Sequence, residues 1–125
     1  MSADSSPPPG TTLLLVEDNR LVRNTLVSML GGLGYRVLAA EQGAAAREIL
    51  EGTERIDVLF TDLRLPAPPD GAELARIARE LRPSIRVLIT SGMVAESALA
   101  PGDHFLMKPY DFDELRTMLA ALSRG

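Results

Sequence analysis

The sequence predicts an α/β domain with a doubly wound, five-stranded parallel sheet, and three observations predict it. Strand-like and helix-like segments alternate along the chain, the pattern of a parallel sheet covered by helices on both faces. The runs at 11–16, 57–62 and 85–90 are almost continuously apolar, as strands buried on both sides must be. Polar residues cluster where four of the strands end, on the edge where open α/β sheets bind ligands.

Each element follows from local pattern. TTLLLV (11–16) is an apolar strand closed by Glu17 and Asp18. From Asn19 the spacing becomes helical, with Leu21, Val22, Leu26, Met29 and Leu30 expected on one face and Gly31–Gly32 as the stop. YRVLAA (35–40) is the second strand, and QGAAAREIL (42–50) an alanine-rich helix ending near Gly52. DVLFTD (57–62) is the third strand. GAELARIARELR (71–82) is a helix with Leu74, Ile77, Ala78 and Leu81 on one face, ended by Pro83. IRVLIT (85–90) and HFLM (104–107) are the fourth and fifth strands. DFDELRTMLAALS (111–123) is the last helix, with Asp111 as its N-cap. Right-handed crossovers leave few topologies, and the flavodoxin-like order 2-1-3-4-5 is the one expected.

The 125 residues suit one domain, and 46% hydrophobic composition supports a globular core. A net charge of -4 argues against a nucleic-acid partner, which requires a basic face. There is no Cys, hence no disulfide and no thiolate metal site. No apolar run approaches the ~18 residues that span a bilayer, and no signal peptide is expected. A soluble cytoplasmic domain is the simplest expectation. Residues 1–10, MSADSSPPPG, are expected to be a disordered tail or linker, with the domain over 11–125.

The strand ends carry the chemistry. Strand 1 leads into Glu17 and Asp18, strand 3 ends in Asp62, strand 4 in Thr90, and strand 5 leads into Lys108. Neighbouring strands lie ~4.8 Å apart, so three carboxylates converge and repel. A cation relieves that repulsion. Oxygen ligands without His or Cys suit a hard ion, Mg²⁺ above others. Three carboxylates, Mg²⁺ and the Lys108 ammonium sum to zero formal charge, a balance able to accept a dianionic group. A carboxylate nucleophile attacking phosphorus, with metal and lysine on the transferring oxygens, is a coherent chemistry.

Taken in order, LLLVEDN, GYRVLAAEQGAAA, VLFTDLRLP, DGAELARIAREL, VLITSG and FLMKPY make the chain resemble a response-regulator receiver domain over about 12–122. The resemblance implies that Asp62 accepts a phosphoryl group from a histidine kinase or histidine phosphotransfer protein. It implies Mg²⁺ held directly by Asp18, Asp62 and the Arg64 carbonyl, and by Glu17 through water. It implies Thr90 bonding the phosphoryl group, with small Ser91 after it leaving room, Lys108 pairing with it, Phe105 as a rotamer switch, and a cis Lys108–Pro109 bond. The lone His104 reads as a surface residue, and Arg47, Arg55, Arg76, Arg79 and Arg82 as solvated charges.

Other readings compete. A haloacid-dehalogenase-type phosphohydrolase also uses an aspartate at a strand tip, but its general acid would fall at Arg64, which stays protonated. A degenerate, non-phosphorylated receiver conflicts with the intact acids. The receiver module of a hybrid sensor histidine kinase remains an alternative context. Two features depart from the family. Only 12 residues, Gly92 to Asp103, join strands 4 and 5, which predicts a shortened fourth helix, a stub over about 93–99, or an irregular loop there, as the most mobile part of the domain. The loop after strand 3 carries three prolines.

Overall fold

In the computed structural model, which describes residues 6–92 and 100–124, the strands are β1 (Thr12–Val16), β2 (Arg36–Ala40), β3 (Val58–Asp62), β4 (Arg86–Ser91) and β5 (His104–Met107). The helices described are α1 (Arg20–Gly32), α2 (Gly43–Glu51), α3 (Gly71–Leu81) and α4 (Phe112–Arg124). The sheet is parallel throughout, in the order β2-β1-β3-β4-β5. This is the expected winding. The shortened helix expected over 93–99, and its mobility, lie outside the described residues.

Period-two alternation sorts the sheet's side chains into two cores. Leu14, Val16, Leu59, Val87 and Ile89 pack with Leu74, Ala75 and Ala78 of α3 and Ala46 and Leu50 of α2. Leu13, Leu15, Phe60 and Leu88 pack with Leu26 and Leu30 of α1 and Leu115 and Leu119 of α4. Every residue of β1 and β3 is buried, whereas the edge strands β2 and β5 keep exposed positions. The continuous apolar runs therefore mark the sheet's centre.

Several expectations need correction. In α1 only Leu26 and Leu30 are fully buried; Leu21 is 78% exposed, and Val22 and Met29 are also exposed. At ~100° per residue, Leu21 lies roughly 180° from Leu30, so one apolar stripe could not contain both. Leu81 of α3 is exposed as well. Gly31 and Gly32 do not stop α1, because the helix runs through both. The stop is Gly34, at φ +110°. Its N–H donates to Gly31 O (3.1 Å) and the Tyr35 N–H to Leu30 O (3.2 Å), closing a Schellman turn with Leu30 and Tyr35 in the same core.

Helix starts follow the sequence more closely. Asp70 accepts from the Glu73 N–H (2.9 Å) at the head of α3. Asp111 accepts from the Glu114 N–H (2.8 Å), and Glu114 Oε1 accepts in return from the Asp111 N–H (3.1 Å), a reciprocal capping box. The folded unit also begins before Thr11. Pro7 is buried, its ring stands against Gly34, and Thr11 donates through N–H and hydroxyl to Pro8 O.

Two arginines read as solvated are structural. The Arg82 guanidinium donates to the carbonyls of Leu50 (3.1 Å), Gly52 (2.9 Å) and Glu54 (2.7 Å). Arg79 pairs with Asp103, whose side chain is 2% exposed. Both partners are distant in sequence, and helical periodicity carries no information about them. His104 is exposed, as expected.

Candidate functional site

The parallel register brings the polar strand ends together. Val16 lies opposite Thr61, so Glu17 follows beside Asp62. Asp62 lies opposite Thr90, and Ser91 opposite Met107, one residue before Lys108. Carboxylate oxygens of Glu17, Asp18 and Asp62 lie within 4.8 Å of one another. Glu17 and Asp62 are each 5% exposed, while Asp18 is exposed. The Lys108 ammonium stands 2.8 Å from Asp62 Oδ1. That contact is an ion pair without hydrogen-bond alignment, and the buried Oδ1 accepts no well-directed hydrogen bond. A pocket of about 200 Å³ opens here, lined by Asp18, Asp62, Arg64, Thr90, Ser91, Gly92 and Lys108.

Electrostatics follow from this crowding. Burial, then the hydrogen bond and negative charge of Asp62, push the Glu17 carboxyl up from 4.5 to about 7, against the lowering effects of the Asn19 N–H and of Lys108. Burial by itself would lower the Lys108 ammonium, but its close pairing with Asp62 and the charges of Glu17 and Asp18 raise it on balance. Lys108 therefore remains a cation, while Glu17 keeps its proton to a higher pH than a separate carboxylate would.

The remaining predicted residues are placed as follows. Thr90 is buried beside Asp62, but its hydroxyl donates to Leu106 O at 2.6 Å. Ser91, also buried, is the last residue of β4 and not the first after it. Phe105 is half-buried against the α2–α3 core. Arg64 is exposed at the pocket's rim. The Lys108–Pro109 bond is cis, and so is Pro68–Pro69 in the proline-rich loop.

Sequence reading missed four residues that shape the site. Asn19 caps α1 by accepting from the Val22 N–H (3.0 Å) and donates its own N–H to Glu17 Oε2 (2.9 Å). Arg23 donates to Glu17 O at 2.9 Å. Gly71 lets α3 start directly behind Asp62: a Cβ there would lie 2.1 Å from Asp62 O. Tyr110 sets its ring edgewise against Phe60, 6.5 Å between centroids. Burial and the charges of Asp62 and Glu17 push its hydroxyl up to about 12. The Asn after the acid pair and the Asp-Gly before α3 were local signals; Arg23 and Tyr110 offered none.

Fold and site together define a class: a doubly wound α/β domain with a carboxylate cluster and one lysine at the carboxyl edge of its sheet. The chain belongs to the response regulator receiver domain family, whose model matches residues 13–120. It is thus a receiver domain of two-component signalling, a module type that in general accepts phosphoryl groups and is not itself a catalyst. It is 36% identical to the response regulator receiver protein CpdR of Brucella abortus, over 82% of this chain and 88% of that one. It is 40% identical to sensor kinase CckA of the same organism, over 85% of this chain but only 12% of the kinase. A receiver protein from Sinorhizobium medicae superimposes with TM-score 0.87 at 34% identity, covering 93% and 96% of the two chains. The receiver domain of sensor histidine kinase PA1611 from Pseudomonas aeruginosa, solved with magnesium in its active-site cleft, does so with TM-score 0.80 at 28% identity, covering 93% and 99%. No helix among the described residues is long and apolar enough to cross a membrane.

Proposed function

We propose that Asp62 is the phosphoacceptor, in a Mg²⁺-dependent reaction with a histidine kinase or histidine phosphotransfer protein. The observation that carries this reading is the buried Asp62 Oδ1, 2.8 Å from the Lys108 ammonium and without an aligned donor, among three converging carboxylates. The residues fit a hard divalent cation. Their donors are all oxygen, burial and then the neighbouring Asp62 raise the Glu17 carboxyl, and a cation beside them favours the ionised form. Asp18, Asp62 and the Arg64 carbonyl would hold the ion, with Glu17 reached through water. When bound, Mg²⁺ supplies positive charge against the oxygens of the transferring phosphoryl group.

The chain's own residues do the rest. A carboxylate oxygen of Asp62 attacks phosphorus as the phosphorus–nitrogen bond to the donor imidazole breaks. Lys108 turns its ammonium toward the phosphoryl oxygens, where it is already held as a cation. Thr90 has one hydroxyl proton, so bonding the phosphoryl group requires it to leave Leu106 O. Ser91 is small and leaves the group space, and Phe105, partly exposed on β5, is the switch that follows Thr90. This reading puts the chain in the cytoplasm with its kinase. The similarity to a 12% stretch of CckA favours a second context, the receiver module of a hybrid kinase.

The test is chemical. Incubation with Mg²⁺ and a small phosphodonor is expected to add one phosphoryl group that hydroxylamine removes, as it does an acyl phosphate. Asp62→Asn is expected to abolish labelling, because an amide is a poor nucleophile. Labelling of the variant to the wild-type level would place the acceptor elsewhere.

A further inference from the structure

Glu17 sits in a three-residue connection held from several directions. Its N–H donates to Ala40 O (3.0 Å), tying the connection to β2. Its Oε2 accepts from the Asn19 N–H (2.9 Å). Its carbonyl accepts from Arg23 Nη1 (2.9 Å). Arg23 is half-buried in the first turn of α1, and its own N–H donates to Asn19 O (2.8 Å). The guanidinium thus closes a ring from the acid pair to the helix that follows it.

Its choice of partner is informative. Arg36, Arg47, Arg55, Arg76, Arg79 and Arg116 all meet carboxylates. Arg23 is bound to the residue that begins the acid cluster, yet among the described residues it forms an ion pair with none of the three acids. A guanidinium bound to Glu17 or Asp18 would occupy the oxygens that a metal requires. Bound to the Glu17 carbonyl, it takes up none of their carboxylate oxygens.

We propose that Arg23 is a positioning residue for the metal-binding acids, fixing the peptide that carries Glu17 and Asp18 so that both converge on Asp62. This rests on the reading that the acids hold Mg²⁺. Two roles for Arg23 give opposite signs. As a mere positive charge near a cation site it would repel Mg²⁺, and its removal would tighten binding. As a positioning residue its removal loosens binding, because partners that orient metal ligands are typically worth roughly 10- to 100-fold in affinity.

Calorimetric titration of the chain with Mg²⁺ separates these roles. Arg23→Met, similar in bulk but without donors, is expected to weaken binding by at least roughly tenfold. The control is Arg82→Met, which also loses carbonyl bonds but at the opposite edge of the sheet. It is expected to lower the thermal midpoint and leave Mg²⁺ affinity unchanged. Unchanged or tighter binding in Arg23→Met overturns the proposal. So does an equal loss in Arg82→Met, which would reduce the effect to general loosening. Should Arg23→Met fail to fold, Arg23→Gln, whose shorter side chain lacks the reach, carries the test with the same outcomes. A wild-type chain that binds no Mg²⁺ overturns the metal reading itself, and this inference with it.

Discussion

The two edges of the sheet treat buried charge in opposite ways. At the amino edge, Asp103 is answered by Arg79 and by the Ala100 N–H (3.3 Å). Asp57 accepts from Arg55 Nε (3.0 Å) and from the Thr12 N–H (2.8 Å). Arg82 is spread over three carbonyls. At the carboxyl edge, three acids face one ammonium, Asp62 Oδ1 has no aligned donor, and Glu17 holds a proton well above its ordinary range. A chain that satisfies its charges so fully on one edge has left the other edge short of positive charge. A buried, unpartnered carboxylate oxygen among converging charges marks a candidate ligand site.

Charge removal at each edge sharpens the contrast. The largest expected effect is at the amino edge. Arg79→Met strands the buried Asp103 carboxylate and is expected to cost about 3 kcal/mol in denaturant unfolding, since an unpaired buried charge is heavily penalised. Mg²⁺ affinity should stay at the wild-type value. A loss under about 0.5 kcal/mol would show that the two edges are alike.

The next effect has the opposite sign. Folding raises the Glu17 carboxyl from 4.5 to about 7, so between those values the folded chain binds more protons than the unfolded one. Metal-free stability is therefore expected to fall as pH rises from about 4.5 to 7 and to level off above, by at most ~3 kcal/mol. Glu17→Gln removes that slope and should unfold at higher denaturant than wild type at pH 8. Wild-type stability that rises across the same window would mean that Glu17 is not the stressed group. The smallest effect is at exposed Asp18. Asp18→Ala is expected to leave metal-free stability within ~0.5 kcal/mol while weakening Mg²⁺ in titration. Undiminished affinity would remove it from the ligands.

What could be read beforehand differs along the same line. The five strands, their order and the acids at their tips were legible because each depends on local pattern: continuous apolar runs, turns, and a carboxylate where a strand stops. The Asp111 cap was legible for the same reason, since its partner Glu114 is three residues away. The buried side of α1 was misread because apolar residues occupy more than one side of it, and only the sheet decides which side is covered. Gly34 was overlooked beside the Gly31–Gly32 pair because a positive φ is a property of the turn and not of composition.

By itself the sequence determined the layered fold and the kinds of chemical group gathered at one sheet edge, since residue period and strand length are short-range properties. Only the tertiary structure decided which charges are satisfied. Arg79 lies 24 residues from Asp103, Arg82 about 30 from its carbonyls, and Lys108 meets Asp62 although α3, β4 and β5 lie between them in the chain. Arg23 took the backbone carbonyl of Glu17 and not its carboxylate. Hydrogen bonding and desolvation act through space, so a side chain's partner is settled by which segments the fold brings within about 3 Å of it.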